Sequence, residues 1–244
     1  MSARSHPIMV ALDVPDAEAA LALASRLEGI PCWMKVGMEL YYAAGPDLVR
    51  RLKAQGHRIF LDLKFHDIPN TVAGAARSAS KLGVDMFNVH AAGGSAMMRA
   101  AVEAAGEAST TGETPLVIAV TQLTSTTEET MRREIGIDAP LADVVVRYAA
   151  LAKAAGLHGV VSSALEAAAV KAACGADFVT VTPGIRPAGA DVGDQARVMT
   201  PAKALANGAD YLVIGRPITK APDPREALLR IVEEIENAKG EARP

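Results

Sequence analysis

Ionisable residues collect at the ends of the apolar runs in this sequence. The run 8–12 ends in Asp13, 32–36 carries Lys35, 59–63 holds Asp62 and leads into Lys64, and 86–89 ends in His90. Two residues apart on an extended strand, Asp62 and Lys64 face the same way while Leu63 faces away. That spacing holds a carboxylate and an ammonium side by side. Asp13, Lys35, Asp62 and Lys64 can then partner one another as an alternating array, which is what buried charges need. A second group suits an anion. In Val213-Ile214-Gly215-Arg216-Pro217 a glycine permits close backbone approach and an arginine can grip phosphate bidentately. Thr182-Pro183-Gly184-Ile185-Arg186 and Gln195 offer further donors. These residue types provide a charged centre beside a phosphate grip. By spacing alone Asp67, just before Pro69, is a helix N-cap, and His66 is a hydrogen-bonded loop residue with no proton-transfer role.

The elements that must position these groups are legible in the apolar pattern. Eight short runs rich in Val, Ile and Leu occur at 8–12, 32–36, 59–63, 86–89, 116–120, 159–162, 178–181 and 211–214. Most are continuously apolar, as parallel strands buried on both faces are. Helical patterns lie between them. Ala20, Leu23, Ala24 and Leu27 repeat with helical period behind Asp16, a fitting N-cap; Leu228, Ile231, Val232 and Ile235 do the same, and 69–82 places Val72, Ala75, Ala76 and Ala79 on one face. Strands alternating with helices predict a single (β/α)8 TIM barrel, one catalytic domain over residues 1–244. The competing architecture is a doubly wound open sheet, and no GxGxxG follows the first strand to favour it. In a barrel the strand ends listed above converge on one mouth, and the loops after strands seven and eight form its phosphate site. The long glycine-containing stretch 183–199 after strand seven has the character of a lid.

Composition narrows the function. Lys+Arg 25 against Asp+Glu 28 gives 25 − 28 = −3, and half of the residues are hydrophobic. With a pI near 6.0 and no basic block, nucleic-acid and anionic-membrane surfaces are not expected. No run approaches eighteen apolar residues, and residues 1–7 are too short and polar for a signal peptide, so a cytoplasmic protein is expected. Cys32 and Cys174 lie in apolar stretches and read as buried free thiols, not as metal ligands or a disulfide.

The stretch Asp62-Leu63-Lys64-Phe65-His66-Asp67-Ile68-Pro69-Asn70-Thr71 resembles the DxKxxD signature of the orotidine 5′-phosphate decarboxylase family, in its bacterial form. Ala11-Leu12-Asp13, Lys35-Val36-Gly37-Met38-Glu39-Leu40, Val181-Thr182-Pro183-Gly184-Ile185-Arg186, Gly193-Asp194-Gln195 and Val213-Ile214-Gly215-Arg216-Pro217 resemble the family too, in its order, from about residue 9 to 219. The resemblance implies decarboxylation of orotidine 5′-phosphate to UMP, the last step of de novo pyrimidine synthesis. It makes Lys64 the catalytic lysine, flanked by Asp62 and by Asp67 of a partner subunit, which displaces the cap role of Asp67. It assigns the ribose hydroxyls to Asp13 and Lys35, with Thr71 reaching the ribose across a homodimer interface. Thr124 would lie near the pyrimidine ring, and Arg186, Gln195, Gly215 and Arg216 would hold the phosphate. No metal or cofactor is implied.

Two rival readings stay open on the residues. Magnesium-dependent sugar-phosphate decarboxylases and synthases share DxKxxD but carry a metal-binding glutamate on strand two, where this chain has Lys35. A catalytically silent barrel that only binds a phosphorylated ligand would be expected to lose Lys64 or Asp62 before Arg216, and all three are present.

Overall fold

The eight apolar runs form eight parallel strands: β1 (Ile8–Ala11), β2 (Trp33–Gly37), β3 (Arg58–Phe65), β4 (Met86–His90), β5 (Leu116–Val120), β6 (Gly159–Val161), β7 (Val179–Thr182) and β8 (Tyr211–Ile214). The structure is a computed structural model and describes residues 6–108, 114–187 and 198–241. Each strand pairs with the next, and β8 returns to β1. Met9 faces Trp33 on one side and Val213 on the other, which closes the ring. The closed (β/α)8 barrel rules out the open doubly wound sheet.

The helices follow the strands: α1 (Ala17–Arg26), α2 (Met38–Ala54), α3 (Pro69–Lys81), α4 (Gly94–Glu107), α5 (Glu128–Arg133), α6 (Leu141–Ala154), α7 (Ala167–Cys174), α8 (Pro201–Ala206), α9 (Arg216–Thr219) and α10 (Pro224–Glu241). Asp16 caps α1 as the sequence predicts, its carboxylate accepting from the Ala19 N–H at 2.8 Å. Leu228, Ile231 and Ile235 are buried along α10. In α3 the buried face is Val72, Ala76, Ala79 and Ser80, and Ala75 is only half-buried.

Apolar packing occurs in two places, which explains the continuously apolar strands. Met9, Trp33, Phe60, Met86, Ile118 and Val181 fill the barrel interior. Alternate residues such as Val10, Met34, Leu61, Phe87 and Ala119 point outward and pack with the helices. Phe60 is only 1% exposed, and truncating such a buried aromatic to alanine costs about 3–5 kcal/mol. Cys174 is buried as expected, Cys32 is half-buried, and both are free thiols.

The base of the barrel is pinned by aspartates that precede strands. Asp85 accepts from the Ile59 N–H and from Lys53, each at 2.7 Å. Asp210 accepts from the Thr180 N–H at 2.7 Å and from Lys171 at 2.6 Å. Each ties a strand start to a lysine of a neighbouring helix and leaves the opposite rim free for chemistry.

Candidate active site

At the C-terminal rim the four charges seen in the sequence form one row. Lys35 Nζ lies 3.2 Å from Asp13 Oδ1 and 3.6 Å from Asp62 Oδ2, and Lys64 Nζ lies 2.7 Å from Asp62 Oδ1. The order Asp13, Lys35, Asp62, Lys64 alternates in sign. Asp13 is the exposed member, at 54% of its side chain, against 9% for Lys35, 15% for Asp62 and 24% for Lys64. Burial pushes the Asp62 carboxyl up, but the charges of Lys35 and Lys64, with hydrogen bonds from Lys64 and Asn88, outweigh it and hold the group below the usual carboxylate range. Asp62 is thus a half-buried anion set between two ammoniums.

The local backbone differs from simple strand alternation. Between the pairs Leu61↔Phe87 and Phe65↔Val89 the chain advances 65 − 61 = 4 residues on β3 but 89 − 87 = 2 on β4. Lys64 lies inside this bulge at φ 53°, the one positive φ outside glycine among the described residues. A left-handed conformation at a long side chain costs about 1–3 kcal/mol and is held only where its surroundings enforce it. Lys64 therefore reaches Asp62 through a bulge, not because both residues share one face of a regular strand. Bulges re-aim side chains next to active sites in this way.

Asn88 escaped the sequence reading. It is fully buried on β4, opposite the bulge, where its Oδ1 accepts from the Lys64 N–H and its Nδ2 donates to Asp62 Oδ1, both at 2.7 Å. The available signal was its place two residues before His90, on the same strand face, in an otherwise apolar run. Two glycines make room for the row. A Cβ on Gly37 would stand 3.0 Å from Lys35 Nζ, and one on Gly215 would stand 3.2 Å from Asp13 Oδ2.

The row opens on a cavity of about 550 Å³, within the range of small-molecule sites. Asp13, Lys35, Asp62, Lys64, Thr124, Arg186, Gly215 and Arg216 all line it, joined by Gln122, Ser125 and Lys220, which sequence reasoning had not assigned. Arg186 is buried and its guanidinium donates to the Ile185 carbonyl at 2.9 Å. The described ends of the loop after β7 are pinned together, Arg186 N–H to the Met199 carbonyl at 3.0 Å. Gln195 and most of the expected lid lie outside the described residues. A second cavity of about 400 Å³ occupies the base of the barrel, but its Lys53 and Arg58 are already paired with Asp85.

Asp67 and Thr71 do not join the row within one chain. Both are exposed, and neither lines the cavity. Asp67 is not the N-cap of α3 either. Pro69 takes the first helical position, so Ile68 becomes the cap residue, and the Asp67 carboxylate accepts instead from the adjacent Ile68 N–H at 2.6 Å. His90 lies near the row, and burial, with the charges of His66 and Lys64, pushes its pKa below the usual histidine value.

Comparison with known proteins fits this geometry. The chain is 57% identical over 234 residues to an orotidine 5′-phosphate decarboxylase of Moorella thermoacetica, covering 95% of this chain and 93% of that one. It is 52% identical over 233 residues to one of Bacillus cereus, covering 95% and 98%. A crystal structure of orotidine 5′-phosphate decarboxylase from Lactobacillus acidophilus superimposes with a TM-score of 0.85 at 41% identity, over 94% of this chain and 98% of that one. Residues 6–231 match the model of the orotidine 5′-phosphate decarboxylase / HUMPS family, and with a charge row, phosphate-suited rim and closed barrel in one chain, the protein belongs to that family.

Proposed function

We propose that this chain is a carboxy-lyase that converts orotidine 5′-phosphate to UMP and carbon dioxide, the last step of de novo pyrimidine synthesis. The observation that carries this reading is the row of alternating charge, running from exposed Asp13 to half-buried Asp62 and Lys64, that faces a cavity lined by Arg186 and Arg216. Near-full-length relatives named for the activity, at 52–57% identity, support it.

The chemistry requires a cation where a negative charge forms. Breaking the bond from carbon 6 of the pyrimidine to its carboxylate leaves the electron pair in the ring plane, out of reach of the π system. Lys64, kept charged by Asp62 at 2.7 Å, supplies positive potential at that carbon and then its proton, and carbon dioxide departs with the carbon–carbon bond broken. Asp62 crowds the substrate carboxylate and so raises the bound ground state. Asp13 and Lys35 hold the ribose hydroxyls, Thr124 borders the ring, and Arg186, Gln195, Gly215 and Arg216 take the phosphate.

A homodimer completes the site in this reading. Asp67 and Thr71 face solvent in the single chain, and between them Ile68 is 66% exposed, a large apolar side chain with no cover of its own. A second copy seated there would bring the partner subunit's Asp67 to Lys64 and its Thr71 to the ribose. The barrel acts as one catalytic domain, and we place it in the cytoplasm; no helix among the described residues is long and apolar enough to cross a membrane. Nucleic acid is not a partner in this reading.

The reaction is expected to need no metal, because Lys35 and Lys64 together already neutralise Asp13 and Asp62, the carboxylates a cation would seek. The test is the loss of orotidine 5′-phosphate absorbance on adding purified protein in chelator, with and without magnesium. Turnover in chelator is expected. Dependence on magnesium would transfer the chain to the metal-using relatives, and no turnover in either condition would overturn the activity.

A further inference from the structure

We infer that Asn88 is the positioning residue that sets Lys64 for proton delivery, by locking the bulge in β3 and the Asp62 carboxylate with one amide. This rests on the function proposed above and adds to it a residue that does not line the cavity.

The two hydrogen bonds admit one orientation of the amide. The Lys64 backbone N–H can only donate, so it takes the carbonyl oxygen of Asn88, and the ionised Asp62 can only accept, so it takes the amide N–H. Each partner lies on β3, 24 and 26 residues away in sequence, and both sides of the amide are therefore used to fold one strand against another. Lys64 needs such a hold because its backbone is at φ 53°, a conformation that a lysine does not keep unaided. Within the bulge, β4 offers only Asn88 between its pairings at Phe87 and Val89. Asp62 Oδ1 receives Asn88 Nδ2 and Lys64 Nζ together, each at 2.7 Å. The ammonium and the backbone that carries it are thus fixed through the same side chain. Asn88 is 0% exposed, so bulk water does not compete for these bonds.

Two variants test this. Asn88→Ala removes both bonds. A displacement of about 1 Å in a reacting group lowers turnover by about 100-fold, and that loss in kcat is expected with KM and UMP affinity within about threefold of wild type, since the phosphate contacts lie elsewhere. Asn88→Asp has the same shape but titrates. Ionised, the introduced carboxylate keeps an acceptor for the Lys64 N–H but loses the donor and repels Asp62. Protonated, it offers an O–H to Asp62 and a carbonyl to Lys64, restoring the native pattern. The charged groups around it are Asp62 and Lys64 on β3, Lys35 on β2 through Asp62, and His90 on its own strand, while β5 places Ile118 opposite. Burial and Asp62 raise the introduced group's pKa. The ratio of variant to wild-type kcat should therefore climb as pH falls from 8 to 5.5 for Asn88→Asp and stay flat for Asn88→Ala. Division by wild type removes the titration of His90.

Turnover of Asn88→Ala within about threefold of wild type overturns the inference, as does a parallel loss of UMP affinity, or a pH-independent ratio in Asn88→Asp. Active wild type with indifferent variants defeats this inference alone, whereas wild type inert toward orotidine 5′-phosphate defeats the proposed function and this inference with it.

Discussion

Replacing Lys64 with alanine should separate chemistry from binding and from folding. The fold should survive, because Asp62 is not left as an orphan: its Oδ2 keeps Lys35 at 3.6 Å and its Oδ1 keeps Asn88 at 2.7 Å. Lys64 is 24% exposed at the side chain, so the loss of stability falls between the surface and buried limits for an ion pair, about 1–3 kcal/mol. Binding of UMP should change by less than about tenfold, since Arg186 and Arg216 stand apart from the deleted ammonium on the cavity wall. Turnover is another matter. A positioned acid is worth about 10² to 10⁴, and one preorganised electrostatic donor about 10² to 10³. The proposed mechanism gives Lys64 both roles, so kcat should fall by at least about 10⁴, which is about 5.5 kcal/mol in transition-state stabilisation. The assay is the absorbance loss of orotidine 5′-phosphate under saturating substrate, beside UMP titration by calorimetry and a thermal melt. A variant that melts normally, binds UMP and turns over within tenfold of wild type would show that Lys64 is not the proton source.

Arg216→Ala should act mainly on binding, raising KM and weakening UMP by about 10- to 100-fold, as loss of a charge-assisted contact of about 1.5–3 kcal/mol implies; an unchanged KM would place the phosphate elsewhere. Lys64→Ala and Asp67→Ala subunits, dissociated and reassociated together in equal amounts, should recover about a quarter of wild-type activity, because half of the dimers are mixed and each mixed dimer has one intact site of two. No recovery despite proven subunit exchange would return Asp67 to a role within its own chain. Acid should destabilise the protein before its carboxylates titrate. Burial holds His57, His90 and His158 below the usual histidine pKa, so below about pH 6.5 the unfolded chain binds more protons and stability drops as the pH is lowered, by a slope that partial solvation of these rings keeps under the limit of about 1.4 kcal/mol per unit for each. A melting midpoint that stays level from pH 7 to pH 5 would contradict this, and His158→Gln should flatten part of the slope, since His158 Nδ1 must be unprotonated to accept the Val117 N–H.

The barrel was legible because a parallel strand covered on both faces must be apolar throughout, and runs such as 116–120 match their strands residue for residue. The end of β3 was less legible. Alternation brought Asp62 and Lys64 together on paper, and they are together, but the backbone between them is bulged and Lys64 is left-handed. What joins them is a long flexible stem anchored by a distant amide, and no local pattern encodes a partner 24 residues away. Asn88 was hard to read for the same reason: its place two residues before His90 was the only hint, and one asparagine in an apolar strand looks like any satisfied core residue. The cap reading of Asp67 failed on a displacement of one residue: proline at the first helical position moves the cap to Ile68. The exposure of Asp67 and Thr71 has no signature in a single chain's sequence, because what would cover them lies on another molecule.

The row of charges also constrains how the enzyme spends its binding energy. Asp62 is half-buried and held ionised before any substrate arrives, and Lys64 is strained into place beside it, so the electrostatic field is built during folding and need not reorganise during reaction. In the proposed reaction the substrate carboxylate enters next to the Asp62 carboxylate, which opposes binding at that end. The opposing free energy has to be offset by groups remote from carbon 6. The phosphate side of the cavity, where Arg186 is buried and Arg216 exposed, and the pinned base of the loop at Arg186 and Met199 are the places where it can be. Enzymes lower barriers by about 8 to 23 kcal/mol, several times what one phosphate contact supplies, so in the proposed reaction several remote contacts have to act together to hold the substrate against Asp62. It follows that a substrate truncated at the phosphate should lose kcat as well as affinity, since the lost contacts are the ones that force the carboxylate into the field.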